Sequence, residues 1–339
     1  MKPKTKQITI TDNRAKIIAL LNDLVLQPRL KALEWAGITK QTPNMKIGYP
    51  GQHLASLVTG MVGTRTGARG HDLVDGSETK SCSRVDQLDK CNACGAKIMR
   101  FETSCPDCDS TNIKRNDDSK WLFTIRSEND LKVLTEKVPR IVLALADYPR
   151  FEYQDFETIA FSIYEIWPQE ARHSSFAALM KGYYTSIYQG HKEMDAAKTP
   201  APKNFWPKSY QFYKCNPVLT FAATVKNANT APLISIDHFV EPGTDRATLT
   251  PVPMPSSLLT IEELLYAIKM ATKAELKRCL APGATVEQVL ELSAADRPKK
   301  KQLTKLFEML PNLSEALRTP LSLRDTDRPV SFVKQYERR

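Results

Sequence analysis

Two pairs of cysteines restrict most strongly what this chain can fold into. Cys91 and Cys94 form the first Cys-x-x-Cys pair, and Cys105 and Cys108 form the second after ten intervening residues. Two such tight turns can bind one Zn²⁺ through four thiolates, and a site with four protein ligands has no open coordination position. The spacing therefore predicts a zinc ribbon over residues 88–112 with a structural Zn²⁺, and two evenly placed pairs argue against redox chemistry.

A second stretch, Arg69–Ser81, carries acidic and basic side chains around a turn that is marked by glycine. Side chains alternate between the two faces of a β-strand, so Glu78 and Lys80 emerge on the same side. Carboxylates that hold Mg²⁺, together with an ammonium group near the attacking water, suit a metal-dependent hydrolase of phosphodiesters. The alternative is an ordinary surface hairpin with mixed charges, because short strings of this kind arise by chance.

The length of the turn decides which aspartate belongs with this pair. A two-residue loop at positions 75 and 76 would turn Asp72 away from Glu78 and Lys80. A three-residue loop at positions 74–76 sets Asp72 opposite Glu78, and Gly76 then supplies the left-handed last residue. We therefore expect Asp72 to be the first acidic ligand. Asp75 becomes a turn residue, and Asp75→Asn is expected to stay active because a turn accepts either residue.

Length, charge and hydropathy narrow the class of protein. The 339 residues, 42% of them hydrophobic, are enough for one large or two ordinary domains with a buried core. The net charge of +10 favours an acidic partner, above all nucleic acid. No apolar signal core follows the basic N-terminus, and no apolar stretch approaches the length of a membrane span. We therefore expect a cytoplasmic protein without a membrane partner, in which the other three cysteines are plain buried or semi-buried thiols.

The hydrophobic pattern predicts an α/β fold with helices against a mixed sheet. A helix at 52–62 precedes the hairpin, and two apolar, β-branched stretches at 140–146 and 158–167 suit central strands of a covered sheet. The order is helix, hairpin, zinc insertion, strand, helix, strand, strand. The predicted regions are an N-terminal helical region (1–47), a core that contains the ribbon (48–170), a basic and aromatic region (171–255), and a largely helical C-terminal region (256–339).

Residues 172–226 combine basic side chains with interleaved aromatic ones. Basic groups suit phosphate contacts and aromatic rings suit base stacking, so this segment is a candidate DNA-contacting region. We expect removal of the charges at Lys203, Lys208 and Lys214 to flatten the salt dependence of DNA binding. An equally good interpretation is a solvated basic surface above an aromatic core. For the helical C-terminal region with its basic segment 296–339, we favour a platform or dimerisation element over direct base readout.

The hairpin, the cysteine pairs after it and the two apolar strands together resemble the PD-(D/E)XK nuclease superfamily. Within it, residues 48–167 resemble type II restriction endonucleases of the MamI-like group. The motifs that carry the resemblance are Gly70-His71-Asp72-Leu73, Glu78-Thr79-Lys80, the pairs at 91–94 and 105–108, and the strands at 140–146 and 158–167. The resemblance implies a PD-(D/E)XK core in which Asp72, Glu78 and the backbone carbonyl of Thr79 hold Mg²⁺ while Lys80 assists the attacking water.

The same resemblance implies a function and a set of partners. The implied function is Mg²⁺-dependent, sequence-specific cleavage of double-stranded DNA by a homodimer, which leaves a 5′-phosphate and a 3′-hydroxyl. The implied partner enzyme is a DNA methyltransferase in the same genome that acts on the same site. Two alternatives stay open. A DNA-repair or junction nuclease would use the same three residues, and a non-catalytic zinc-ribbon DNA-binding protein would use none of them.

Overall fold

The computed structural model describes residues 1–39, 41, 47–65, 71–85, 87–294 and 300–324. Gly70 and the basic tail beyond residue 324 lie outside the described residues. The chain forms two compact units that do not follow its order. Unit 1 comprises Met1–Gln169, Ala201–Asn204 and Leu219–Ala247, and unit 2 comprises Glu170–Pro200, Phe205–Val218 and Thr248–Arg339. Residues 171–255, predicted as one region, are thus distributed over both units.

Helices and strands alternate in the first two thirds of the chain, and helices dominate the last third. The helices are α1 (Asn13–Leu21), α2 (Gln27–Thr39), α3 (Gly48–Thr59), α4 (Glu128–Lys132), α5 (Ser174–Gly182), α6 (Gly190–Met194), α7 (Tyr210–Lys214), α8 (Ile261–Met270), α9 (Lys273–Lys277), α10 (Val286–Ser293), α11 (Lys300–Met309) and α12 (Glu315–Arg318). Wider π-helical turns continue α1, α4 and α5 over Asn22–Leu26, Val133–Lys137 and Tyr183–Gln189.

The strands form one large sheet and several small ones. The strands are β1 (Glu78–Ser83), β2 (Asp89–Cys91), β3 (Lys97–Ile98), β4 (Ile113–Lys114), β5 (Trp121–Phe123), β6 (Ile141–Asp147), β7 (Ile159–Ile166), β8 (Lys203–Phe205), β9 (Val218–Lys226), β10 (Leu233–Phe239), β11 (Met254–Pro255) and β12 (Asn312–Leu313). None of the helices in the described part of the chain is both long and apolar enough to cross a bilayer.

The main sheet has the order β1-β6-β7-β9-β10. β1 runs parallel to β6, whereas β6 and β7, and also β9 and β10, are antiparallel. All seven residues of β6 are buried, which is the pattern of a strand covered on both faces. The prediction of a mixed α/β sheet is therefore confirmed. β1, which carries the Glu-Thr-Lys motif, lies at the edge of this sheet.

α3 holds the edge strand at unusually short range. A Cβ atom on Gly51 of α3 would lie 2.2 Å from the hydroxyl oxygen of Ser81 on β1, so only glycine permits this approach. Leu54 and Val58 of α3 pack with Val142 and Ala144 of β6 in the same apolar cluster. The helix ends at Gly60, which has a left-handed φ of 71° and leads the chain back toward the hairpin.

The aromatic side chains of residues 172–226 form mainly core rather than an exposed stacking surface. Seven of the ten are buried, and Tyr184 and Tyr188 stack on each other as half-buried rings with centroids 5.7 Å apart. The buried rings are Phe176, Tyr183, Phe205, Tyr210, Phe212, Tyr213 and Phe221. Residues 218–226 of this segment form β9, a strand that the sequence analysis did not identify.

Helices dominate the described residues 256–294 and 300–324, and local capping defines the starts of three of them. Thr260, Thr272 and Thr285 each form a capping box with the residue three positions later, at the starts of α8, α9 and α10. In such a box the threonine hydroxyl and the later side chain satisfy backbone N–H groups that the helix itself leaves unpaired.

Lys214 is not an exposed DNA contact. Its side chain is buried in unit 2, and its ammonium group donates to the carbonyl oxygens of Arg318 (2.7 Å), Thr319 (3.1 Å) and Leu321 (2.6 Å). Burial, together with the nearby Arg318 guanidinium, lowers the pKa of Lys214 to about 8. The assignment from sequence was wrong for this lysine because basic composition does not reveal which charges turn inward.

We expect Lys214→Ala to reduce stability and to leave the salt dependence of DNA binding unchanged. Three carbonyl groups lose their donor, which should lower the free energy of unfolding by roughly 2–4 kcal/mol in urea titrations. The matched variant is Lys208→Gln, which removes the same charge from an exposed side chain. A similar loss of stability in both variants would contradict this interpretation of Lys214.

Candidate active site and zinc ribbon

The hairpin turn has the three-residue form. The N–H of Gly76 donates to the carbonyl of Leu73 at 2.9 Å, and the N–H of Leu73 donates to the carbonyl of Ser77 at 3.2 Å. Gly76 has a left-handed φ of 90°, the conformation expected of the last loop residue. The arm before the turn is irregular, with one bridge from Leu73 to Gly63.

This turn brings Asp72 to the open edge of β1. The N–H of Glu78 donates inward, to the carbonyl of Arg140 at 3.0 Å. Backbone groups alternate along a strand, so the N–H of Thr79 faces the opposite edge, where it donates to Oδ2 of Asp72 at 2.7 Å. The carbonyl of Thr79 points to the same edge as its N–H, and therefore toward the side on which Asp72 lies.

Glu78 and Lys80 share one face of the strand. Nζ of Lys80 lies 2.5 Å from Oε1 of Glu78, and the lysine side chain is 30% exposed while that of the glutamate is 11% exposed. The pKa of Asp72 is raised, first by its partial burial and then by the nearby Glu78 carboxylate, against the lowering effects of the Thr79 N–H and of Lys80. The three side chains named from the sequence therefore lie together.

These groups fit a divalent cation with a preference for oxygen. Asp72, Glu78 and the carbonyl of Thr79 offer oxygen donors of the kind that Mg²⁺ takes in proteins. Two carboxylates close enough to raise a pKa repel each other, and a bound cation would relieve that repulsion. The arrangement can hold Mg²⁺ beside an ammonium group at a solvent-accessible edge.

A buried arginine that the sequence analysis did not identify holds the hairpin in place. Nη2 of Arg140 donates to Oδ2 of Asp75 at 2.7 Å, and its Nε donates to the hydroxyl of Ser77 at 3.0 Å. On its other side Arg140 pairs with Glu165, which also pairs with the buried Arg246 at 3.2 Å. The two arginines keep the pKa of Glu165 low in spite of its complete burial.

Asp75 is therefore more than a turn residue. It does occupy the turn, as predicted, but its side chain is only 5% exposed and neutralises a fully buried guanidinium. The sequence contained one signal for this network, since Arg140 stands directly before a strand of entirely buried residues. A charge at such a position requires a buried counter-charge, but the sequence does not say which acid supplies it.

The four cysteines converge on one point. Their sulfur atoms lie within 4.8 Å of one another, with 3.7 Å between Cys91 and Cys108 and 3.5 Å between Cys94 and Cys105. A tetrahedral zinc with Zn–S bonds of about 2.3 Å requires sulfurs about 3.8 Å apart. The N–H of Ala93 donates to the Cys91 sulfur at 3.4 Å, a contact that stabilises a thiolate. The residues therefore fit a closed zinc site.

A buried ionic cluster attaches the ribbon to the core of unit 1. Asp89 of β2 accepts hydrogen bonds from Arg100 at 2.6 Å and from Arg115 at 2.8 Å. The two guanidinium groups also lie over the Phe156 ring, 5.5 and 5.2 Å from its centroid. The three small strands have the order β3-β2-β4, so the ribbon extends to Lys114, two residues beyond its predicted end.

Lys203 and Lys208 fall in different units. Lys203 begins β8, within a stretch of unit 1, and is half-buried, whereas Lys208 belongs to unit 2 and is exposed. Lys208 has a left-handed φ of 57° just before α7. Their role as phosphate contacts stays a prediction.

The fold and the site together define a class of protein. Its sheet is mixed, its edge strand carries an acid and a lysine beside a second acid, and a four-cysteine ribbon follows. The sequence profile of the MamI restriction endonuclease matches residues 34–257, which is most of the chain. The chain therefore belongs to the MamI restriction endonuclease family, and the resemblance seen in the sequence is confirmed.

One curated relative illustrates the similarity. The type II restriction enzyme MamI of Microbacterium ammoniaphilum is 35% identical over 71 residues, which are 21% of this chain and 23% of that enzyme. The match thus spans less than a quarter of the relative's length. Comparison with solved structures found no match.

We expect Asp75→Asn to destabilise the protein, which revises the tolerance expected from sequence alone. The amide can keep the hydrogen bond to the N–H of Ser77 but cannot neutralise Arg140, so the free energy of unfolding should fall by about 3 kcal/mol in urea titrations. Asp195→Asn is the matched control, because Asp195 makes the same bond two residues on, to Ala197 at 3.0 Å, and is exposed. Equal stability losses in the two variants would show that the ion pair between Asp75 and Arg140 is not the cause.

We expect one tightly bound zinc per chain. Elemental analysis of protein purified without chelator should find it, and Cys91→Ser should lower both the zinc content and the folding yield. Cys279→Ser, at a buried cysteine outside the ribbon, should keep the zinc. Wild-type protein without zinc would contradict the assignment of the site.

Proposed function

We propose that this protein is a Mg²⁺-dependent type II restriction endonuclease that hydrolyses phosphodiester bonds in double-stranded DNA at a specific sequence. The observation that carries the proposal is the hydrogen bond from the Thr79 N–H to Asp72, because it places the first acid at the strand edge that carries Glu78 and Lys80. Membership of the MamI restriction endonuclease family supports the same activity, and the surplus of positive charge suits DNA.

In this proposal the main sheet is a PD-(D/E)XK core. Asp72, Glu78 and the carbonyl of Thr79 hold the Mg²⁺. When bound, Mg²⁺ lowers the pKa of a water molecule and stabilises negative charge on the phosphate. The carboxylates contribute by position: the Thr79 N–H orients Asp72, and strand pairing with β6 orients Glu78.

Lys80 has a separate role at the open side of the site. Its ammonium group contacts Glu78 and is still 30% exposed, so it can approach a phosphate or a water that enters from solvent. A fixed positive charge there stabilises the charge that develops as the water attacks. Attack in line with the leaving 3′ oxygen yields a 5′-phosphate and a 3′-hydroxyl.

The remaining features complete the proposal. A structural Zn²⁺ bound by Cys91, Cys94, Cys105 and Cys108 stabilises the ribbon. A symmetric recognition sequence is cut by a homodimer, in which each subunit supplies one site. We further propose that the enzyme is cytoplasmic and that a methyltransferase that modifies the same sequence protects the host DNA.

We expect Asp72→Ala, Glu78→Ala and Lys80→Ala each to reduce cleavage of plasmid DNA by about 100-fold or more, while DNA binding is retained. These groups serve the metal and the water, so their loss affects chemistry rather than association. Glu34→Ala and Lys31→Ala are matched controls, since those residues form a 2.7 Å ion pair at an exposed position on α2. The controls should cleave like the wild type.

The pattern of products separates the alternatives. Discrete Mg²⁺-dependent fragments support a restriction enzyme, whereas nicking confined to branched or damaged DNA would mark a repair or junction nuclease. Binding without any cleavage, by wild-type protein with intact zinc, would leave a zinc-ribbon DNA-binding protein. Full activity of all three variants would refute the proposed site even if the wild type cuts DNA.

A further inference from the structure

The zinc ribbon carries a row of three lysines across its small sheet. Lys90 of the central strand β2 is paired directly with Lys97 of β3 on one side and with Lys114 of β4 on the other. Directly paired residues project from the same face of a sheet, so the three side chains stand next to one another. None of the residues in this row belongs to the zinc site or to the hairpin.

This lysine row lies on the outward face of the ribbon. All three lysines are exposed, whereas the neighbouring residues Asp89, Cys91 and Ile98 point to the other face and are buried. Within the described part of the chain, none of the three lysines forms an ion pair with an acidic residue. Among the residues that the structure describes, the row is therefore a concentrated positive charge that no ion pair neutralises.

The residues two positions before and after each lysine in the sequence carry no negative charge. They are apolar or neutral polar: Leu88, Asn92, Gly95, Met99, Asn112 and Asn116. Asn92 and Asn112 bond to each other at 2.8 Å beside the row. The exposed amides of these asparagines and the lysine ammonium groups can donate hydrogen bonds to phosphate oxygens.

Protection of sheet edges does not account for this arrangement. Lysines on edge strands discourage pairing with other chains, which could explain Lys97 and Lys114. Lys90, however, is on the central strand, where both backbone edges are already paired. Like charges directly opposite each other also destabilise a sheet, so three in one row reduce the stability of the ribbon unless a polyanion neutralises them.

We propose that the lysine row of Lys90, Lys97 and Lys114 binds the sugar-phosphate backbone of duplex DNA. Adjacent strands lie about 4.8 Å apart, so the row is about 10 Å wide. One strand of duplex DNA has a phosphate every 3.4 Å or so along its axis, and about three phosphates therefore fall within this width. The row contributes affinity and orientation, not sequence readout.

The proposal gives the ribbon a second role beyond its own folding. The zinc site and the Asp89 cluster hold the small sheet rigid from its inner face, and the outer face presents the charges. It rests on the proposed function only in taking DNA as the partner, and it does not depend on the catalytic residues.

The test measures DNA affinity against salt concentration without cleavage. A variant with Lys90, Lys97 and Lys114 all replaced by Gln is compared with its parent, both carrying Asp72→Ala and both without Mg²⁺. The slope of log affinity against log salt should fall in magnitude by about 2–3, by equal amounts for cognate and random duplexes. A variant with all three replaced by Arg should keep the parental slope.

A charge-matched control removes three lysines elsewhere. Lys269, Lys273 and Lys277 are exposed on α8 and α9, and their joint replacement by Gln changes the net charge by the same amount. The proposal is overturned if the slope falls no more in the Lys90, Lys97 and Lys114 variant than in this control. It is also overturned if affinity is lost only for the cognate duplex.

Zinc content and wild-type cleavage complete the design. If the triple Gln variant loses zinc, the three single Lys→Gln variants are measured, and the proposal fails unless their slopes each fall by about 1. If the wild-type protein cleaves DNA but the triple Gln variant keeps the parental slope, the proposal for the lysine row is refuted and the proposed endonuclease activity is not. If the slope falls but the wild-type protein never cleaves DNA, the lysine row is supported and the endonuclease activity is refuted.

Discussion

The geometry of the candidate site depends on one buried guanidinium. Arg140 binds the side chains of Asp75 and Ser77 while its carbonyl accepts the N–H of Glu78, so a single residue holds both the turn and the first residue of β1. Glu165 then links Arg140 to Arg246 in a fully buried chain of charges. A buried charge is tolerated only with its counter-charge in place. The turn is therefore fixed against the sheet far more firmly than a surface hairpin would be.

The open edge of β1 is the second constraint. Exposed sheet edges normally invite pairing with other chains, and this protein uses its edge to orient an acid. Parallel pairing with β6 takes up the N–H of Glu78 and leaves that of Thr79 for Asp72. α3 packs closely on the same strand, where Gly51 leaves room for Ser81. A pair of carboxylates with a neighbouring lysine is thus positioned by backbone geometry, and Asp72 and Lys80 are both partly exposed to solvent.

The ribbon joins the same unit by a different physical route. Its four sulfurs can share one metal, and its inner face contributes Asp89 to an arginine cluster over Phe156. Small sheets of two or three residues per strand bury too little apolar surface to be stable alone, so ion pairs and the proposed zinc supplement the small apolar cluster around Ile98. The outer face of the ribbon therefore does not have to pack against other residues, and it can carry lysines that repel one another.

The sequence by itself determined the features that depend on neighbours in the chain. The three-residue turn was predicted from Gly76 together with the placement of Asp72 opposite Glu78. The cysteine cluster followed from its spacing, and the shared face of Glu78 and Lys80 from the alternation of a strand. Only the tertiary structure decided which charges are buried, because a charge count does not identify counter-charges distant in sequence. Lys214 turned inward to the carbonyls near residue 320, and Asp75 met Arg140, 65 residues away. The three ribbon lysines likewise became one surface only when strand pairing set their register.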